Sequence, residues 1–303
     1  MRILSLLFLF VILSSGTCNK GSENNVNPGF YLGEYELTYS VNNPEVTMNM
    51  PRKLTEISGL TYSTVKNILY CVNDEKGDIY GVSPISGEII DKIDFAKSDD
   101  YEGIAYHDNM IYVAESNGNI KVVNEKLSER HVEYDDKLSS DNDIEGAVYN
   151  PVSNSLLLAA KGDSREDGNE KSEKALFSMN ISNGEIDKKP FLTINIKEAI
   201  KALEKRYITG NAIVNLSVSS RIAEFAPSGV AIHPTTNELY ILSARGKLLV
   251  VASLAGEVKA VVFLNQGLHV QPEGICFATD GTLFISNEGR GRSGKIYSYL
   301  QQK

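Results

Sequence analysis

The chain has 303 residues, with 39 acidic side chains against 30 basic ones and a formal net charge of −9. That acidity, without a cluster of Lys and Arg to neutralise phosphates, excludes nucleic acid as a partner and suits cationic ligands. Its three cysteines do not make a disulfide framework.

Residues 1–18 read as an export signal. Arg2 precedes an uncharged apolar run, Ile3 to Leu13, that is too short to span a bilayer as a helix. Small residues and then Cys18 follow. The position of Cys18 resembles a bacterial lipoprotein signal, in which the cysteine is lipidated and starts the mature chain. Ser15 and Thr17 depart from the usual residues, and cleavage after Gly16 or Thr17 to give a secreted protein is the alternative. The expectation is a protein of the bacterial cell envelope, held to a membrane by lipid on Cys18. Residues 19–34 read as a tether, polar and rich in Gly, Pro and Asn over 19–29. The body, residues 35–303, opens with an alternating strand pattern, YELTYSV, over 35–41.

From there the chain repeats. A motif of Gly followed by alternating apolar residues occurs as EISGLTY, YEGIAY, IEGAVYNP, PSGVAIHP and PEGICF, with its glycine at 59, 103, 146, 229 and 274. An apolar run follows each copy, at 67–74, 109–116, 154–161, 237–244 and 281–288, and reads as a strand buried on both faces. Third strands are expected at 78–84, 119–125, 174–180, 247–253 and 295–300, and more exposed fourth strands at 88–95, 131–136, 190–195 and 257–264. The last repeat lacks a fourth strand, and the unmatched strand at 35–41 is expected to pair with 295–300 and close a ring. The class is therefore all-β, a β-propeller with five four-stranded blades. The long interval between Gly146 and Gly229 leaves a sixth, degenerate blade open, but residues 195–207 (NIKEAIKALEKRY) have helical spacing and read as an insertion.

The repeated E-G-[IA]-[AV]-Y and P-S-G-V-A-I-H-P motifs, with L-Y-[IV] strands behind them, resemble the SdiA-regulated family of bacterial propellers across roughly residues 50–300. More distantly the chain resembles phytase-like esterases and calcium-dependent lactonase propellers. The resemblance implies a propeller and suggests calcium sites; it implies no particular reaction.

In such a blade the loops before the first strand and after the second lie on one face. Glu102, Glu145 and Glu273 occupy one column immediately before Gly, with Ser58 and Ser228 in the other two repeats. First strands line the axis, and like charges brought that close need a proton, a cation or a basic partner. With Asn73 and Asn287 at second-strand ends, these carboxylates offer the oxygen donors calcium takes. Asp74, Glu115, Lys161, Arg245 and Glu288 extend the same rim as candidate ligand-binding residues, and the two cations favour an anionic ligand. The alternative is that each Glu-Gly pair only shapes a turn. His269 is the histidine best placed for the rim, and His233, before Pro234, reads as structural. The basic turn Gly289–Arg292 lacks the spacing of a phosphate loop but suits an anionic substrate. Cys71 and Cys276 read as buried thiols, with a disulfide between adjoining blades as the alternative. Two functions remain: an envelope propeller that binds a small-molecule or protein ligand or acts as a scaffold, or a metal-dependent hydrolase of a phosphoester, ester or lactone.

Overall fold

The computed structural model describes residues 29–302 apart from 33, 128, 136–137, 139, 163–172 and 196–219. The expected signal segment with Cys18, and all but the first residue of the expected helix at 195–207, lie outside the described residues. Among the described residues no helix is long and apolar enough to cross a membrane.

Each long apolar run forms a strand, because a run of alternating and β-branched residues can bury both faces between neighbouring sheets. The result is five antiparallel sheets in a ring. Blade one is built from Ile57–Ser63, Ile68–Asn73, Lys76–Val82 and Ile89–Asp94. Blade two is built from Tyr101–His107, Met110–Glu115, Ile120–Asn124 and Glu129–Tyr134. Ile144–Asn150, Ser155–Ala160, Glu173–Asn180 and Leu192–Asn195 make blade three. Gly229–Ile232, Leu239–Ser243, Leu248–Ala252 and Val258–Phe263 make blade four. Pro272–Phe277, Leu283–Asn287 and Lys295–Tyr299 supply the first three strands of blade five.

An N-terminal strand completes blade five, but it is Val46–Asn49, paired with Lys295–Tyr299, and not 35–41. The alternating residues that suggested a strand at 35–41 do another job. Leu37, Tyr39 and Val41 are fully buried between blades four and five, and the Tyr39 hydroxyl donates to Gly281 O at 2.7 Å. The fourth strand of a blade is an outer strand, so it keeps only one buried side chain, Met48, and its apolar signal is weak. The last residues of the expected tether also join the fold: Gly29–Tyr31 adds a fifth, outermost strand to blade four.

The core lies between blades, in five apolar clusters that each gather side chains from adjacent sheets. Cys71 and Cys276 share one of them as free thiols, which removes the disulfide alternative. Burial drives both thiols far above their ordinary range.

The repeat glycines explain how tightly the ring closes. A Cβ on Gly59 would lie 2.8 Å from Glu102 O, one on Gly103 2.9 Å from Ala147 N, and one on Gly146 3.1 Å from Val230 N. On Gly229 it would lie 2.3 Å from Glu273 O, and on Gly274 2.8 Å from Leu60 N. Each glycine thus abuts the inner strand of the next blade. None of the five has a positive φ, so their role is close approach and not an unusual backbone angle.

Candidate functional site

The inner strands run along the axis, and side chains two residues apart face it in turn. The column after each glycine is Leu60, Ile104, Ala147, Val230 and Ile275, all buried. These close the channel, leaving a void of about 10 Å³ at the axis. The column before the glycine is Ser58, Glu102, Glu145, Ser228 and Glu273, at one mouth of the closed channel.

Ser58 and the three glutamates lie within the strands, where the sequence placed a preceding loop, and Ser228 stands just before its strand. Pairing skips from Tyr101 to Gly103 in blade two and from Ile144 to Gly146 in blade three. It skips from Ile57 to Leu60 in blade one and from Pro272 to Ile275 in blade five. Glu102 and Glu145 are the extra residues of bulges, and Ser58 and Glu273 sit in comparable irregularities. A bulge re-aims a side chain that regular pairing would direct into the blade.

The carboxyls sense one another. Burial, then the charge of Glu145, raises Glu102 to about 9, against a 2.7 Å hydrogen bond from the Ser58 hydroxyl. Burial and Glu145 raise Glu273 to about 8, although Gln271 donates to it. Glu145 is raised less, to about 6, because burial is opposed by an ion pair with Lys161. Asp143 is the second carboxylate beside Lys161, at 3.5 Å.

Glu145 and Glu273 form one wall of a cavity of about 370 Å³. Lys161 of blade three, Arg245 and Lys247 of blade four, and Arg290 of blade five line the rest, with Ser228 and Gln271. All four cations stand in or beside connections between second and third strands. Lys161 is neutralised by Glu145, whereas Arg245, Lys247 and Arg290 have no ion-pair partner within 4 Å among the described residues. Burial lowers Lys247 from its ordinary range. Lys247 was not among the residues the sequence singled out; its proximity to Arg245 was the available signal. Arg290, in the basic turn, does reach the pocket, its backbone held at φ 47°.

The same connection on blade one is acidic, with Asp74 and Glu75. Asp74 is raised to about 6, by burial first and then by Glu56, Glu75 and Glu288. Burial likewise raises Glu288, which accepts from the Gln271 side chain. Glu115 is not a rim ligand: it is 1% exposed and ion-paired with Lys121, with Asn119 donating at 2.8 Å. A buried carboxylate already held by an amine and an amide cross-links strands and has no capacity left for a ligand.

The five residues expected to hold calcium do not converge. Asn73 Oδ1 accepts the Glu75 amide at 3.1 Å, and its Nδ2 donates to Lys53 O at 3.5 Å, so it shapes a turn. Asn287 is buried beside His269, Nδ2 to Nδ1 at 3.4 Å. Among the described residues no three His, Cys, Asp or Glu side chains gather closely enough for a metal ion. The Lys161 amine, paired with Glu145, supplies the positive charge at that carboxylate. The donor set therefore does not fit a single calcium site. His269 is not on the rim either. It is fully buried, bonded to Val41 O at 2.8 Å and Tyr299 Oη at 3.2 Å, and burial lowers it to about 4. His233 is structural as expected, with Nε2 2.9 Å from Tyr39 Oη and Nδ1 facing the amides of Thr235 and Thr236.

Five blades around a plugged axis, with a polar pocket over three of them at one mouth, define a β-propeller. The sequence profile of the SdiA-regulated family matches residues 38–290, and the chain belongs to that family. Among solved structures it is similar to the glutaminyl cyclase of Myxococcus xanthus, at 9% identity and a TM-score of 0.55 over 85% of this chain and 95% of that one. A streptogramin B lyase aligns at 12% identity and a TM-score of 0.45, over 84% of this chain and 97% of that one. A virginiamycin B lyase of Staphylococcus aureus aligns at 15% identity and 0.43, over 82% and 68%. At these identities the likeness is one of fold. No curated protein matches the sequence.

Proposed function

We propose that this protein is a cell-envelope propeller, anchored through lipid on Cys18, that binds a small anionic ligand in the pocket over blades three to five. One observation carries the reading: cationic side chains from three consecutive blades face one cavity, and those of Arg245, Lys247 and Arg290 lack ion pairs within it. At pH 7 the Glu273 carboxyl, raised to about 8, is largely protonated and adds a donor to the wall. Arginines present planar, bidentate donors to a carboxylate or phosphate. On this reading Lys161 occupies the electrostatic role that the family resemblance suggested for calcium.

The test is a melting titration with citrate and with inorganic phosphate, in wild type and in Arg245→Ala/Arg290→Ala. A ligand bound to the folded state at 100 times its dissociation constant stabilises by about 2.7 kcal/mol. The pocket reading expects a saturable rise in the wild type that the double variant loses. An equal rise in both proteins reflects the general salting-out effect of these anions and removes the reading. A parallel calcium titration separates the alternatives, since a calcium-dependent rise that Glu145→Gln diminishes favours a metal site. Anchoring is tested separately: Cys18→Ala moves the protein from the membrane to the soluble fraction if lipid holds it.

A further inference from the structure

The opposite mouth of the channel carries a second constellation that the anion pocket does not use. Three residues beyond each repeat glycine stand Tyr62, Tyr106, Tyr149, Ile232 and Phe277, one from every blade. All five are partly exposed, and together they line a cavity of about 220 Å³. Its floor is the apolar plug, Leu60 through Ile275, so the cavity is blind and separate from the charged pocket.

We propose that this aromatic collar is a binding site for an uncharged, ring-sized apolar molecule. The wall chemistry selects that class. The phenol oxygens are engaged within their own blades, Tyr62 with Asn67 at 3.3 Å, Tyr106 with Glu125 at 2.8 Å and Tyr149 with Asn154 at 2.8 Å. The ring carbons are what remain for a ligand. The Tyr149 ring is held flat against His107, centroids 3.6 Å apart, so its orientation is fixed before anything binds. No Asp, Glu, Lys or Arg lines the cavity, and the ring nitrogens of His233, the one titratable imidazole in it, are both engaged. Burial lowers that histidine below its ordinary range, which keeps it neutral. A charged ligand entering here loses its hydration and finds no partner, whereas an apolar ring exchanges water for aromatic edges and faces. The occupant is a small molecule and not a protein segment. Each inner strand pairs on one side only, but its other edge faces the plugged axis and abuts the inner strand of the next blade at its glycine, which leaves no room for strand addition. A stable protein partner needs about 1,000 Å² of buried surface, far more than a ring of five side chains presents.

The probe is N-phenyl-1-naphthylamine, a neutral two-ring fluorophore that brightens in apolar surroundings, titrated into the full-length protein. Saturable one-to-one binding is expected, weakened at least about tenfold in Tyr62→Ser/Tyr149→Ser, because two of four aromatic walls are gone. Ile232→Glu places a charge on the collar through a partly exposed position and is expected to weaken binding equally. It serves as the independent variant if the double substitution lowers the melting temperature. Arg245→Ala/Arg290→Ala, at the other mouth, is expected to bind the probe like the wild type, which keeps failure here distinct from failure of the anion pocket. Unsaturable binding in folded wild type, or wild-type affinity in a folded collar variant, overturns the proposal. So does a dimer in sedimentation that Ile232→Glu dissociates, since it makes a second copy the occupant.

Discussion

The two mouths of the channel are built from the same five strands, two residues to either side of one apolar plug, yet they have opposite chemistry. The mouth before the repeat glycine holds Glu102, Glu145 and Glu273 under a rim that is cationic over blades three to five and acidic over blade one. The mouth beyond it holds four aromatic rings and no charge. Period-two alternation sets which positions face the axis, and the same rule serves both ends. What differs is the device that controls each end. At the polar mouth, bulges turn carboxyls into a crowded space where charge must be shared, paired or protonated. At the apolar mouth the strands pair regularly, and phenol oxygens tied into their own blades leave ring carbon exposed. The two mouths can keep unlike chemistry because the axis between them is closed.

The largest effect is expected from breaking that closure. Gly229→Val puts a branched side chain where a single Cβ already meets Glu273 O at 2.3 Å. Overpacking against backbone costs about 1–3 kcal/mol, occasionally more, so a melting temperature lowered by several degrees is expected. A valine variant as stable as the wild type shows that the ring can expand and that the two mouths are not isolated.

Charge reversal sharpens the contrast next. Arg245→Glu/Arg290→Glu is expected to weaken binding of citrate at least about thirtyfold and leave collar binding unchanged, in keeping with the few kcal/mol carried by charge-assisted hydrogen bonds. Isothermal titration of both ligands in one preparation reads the ratio directly.

A pH series separates the mouths by a smaller margin. Glu273 and Glu102 are raised in the folded state, to about 8 and about 9, so the native protein binds more protons than the unfolded chain above the ordinary carboxylate range. Their contribution is fully present below about pH 4.5 and is lost as the pH rises through 8 and 9. Stability is expected to fall between pH 5 and 9, and Glu273→Gln, which cannot ionise, to flatten that fall by roughly 1–2 kcal/mol. An identical slope in the variant places the titration elsewhere.

The smallest effect is expected from Asp74→Asn on the acidic side of the rim. Asp74 is raised to about 6 by burial and by Glu56, Glu75 and Glu288. Its native-state penalty therefore appears as pH rises through 6, and the amide is expected to stabilise by a few tenths to about 1 kcal/mol at pH 8 and by nothing at pH 4. Denaturant unfolding at the two pH values checks the sign.

The sequence by itself determined the architecture. Five copies of a glycine followed by alternating apolar residues, each with a buried strand behind it, specify five sheets, and a last repeat one strand short specifies closure by the N-terminus. Local periodicity carries that information because each buried strand must satisfy its own backbone and side chains. The aligned column of Glu102, Glu145 and Glu273 was legible for the same reason. Which segment closes the ring was not: Leu37, Tyr39 and Val41 carry a better strand pattern than Val46–Asn49, but wedging between blades and pairing at an outer edge are distinguished only by what surrounds them. The fate of each polar residue was likewise a tertiary decision. Glu115 lies in its second strand much as Asn287 does in its own, yet Lys121 claims the first and His269 sits against the second. Lys161 reaches Glu145 across its own blade, so an amine stands where oxygen donors alone suggested calcium. Strand patterns report burial, which is local, whereas a charge takes its role from the nearest opposite charge, and only the assembled ring sets that distance.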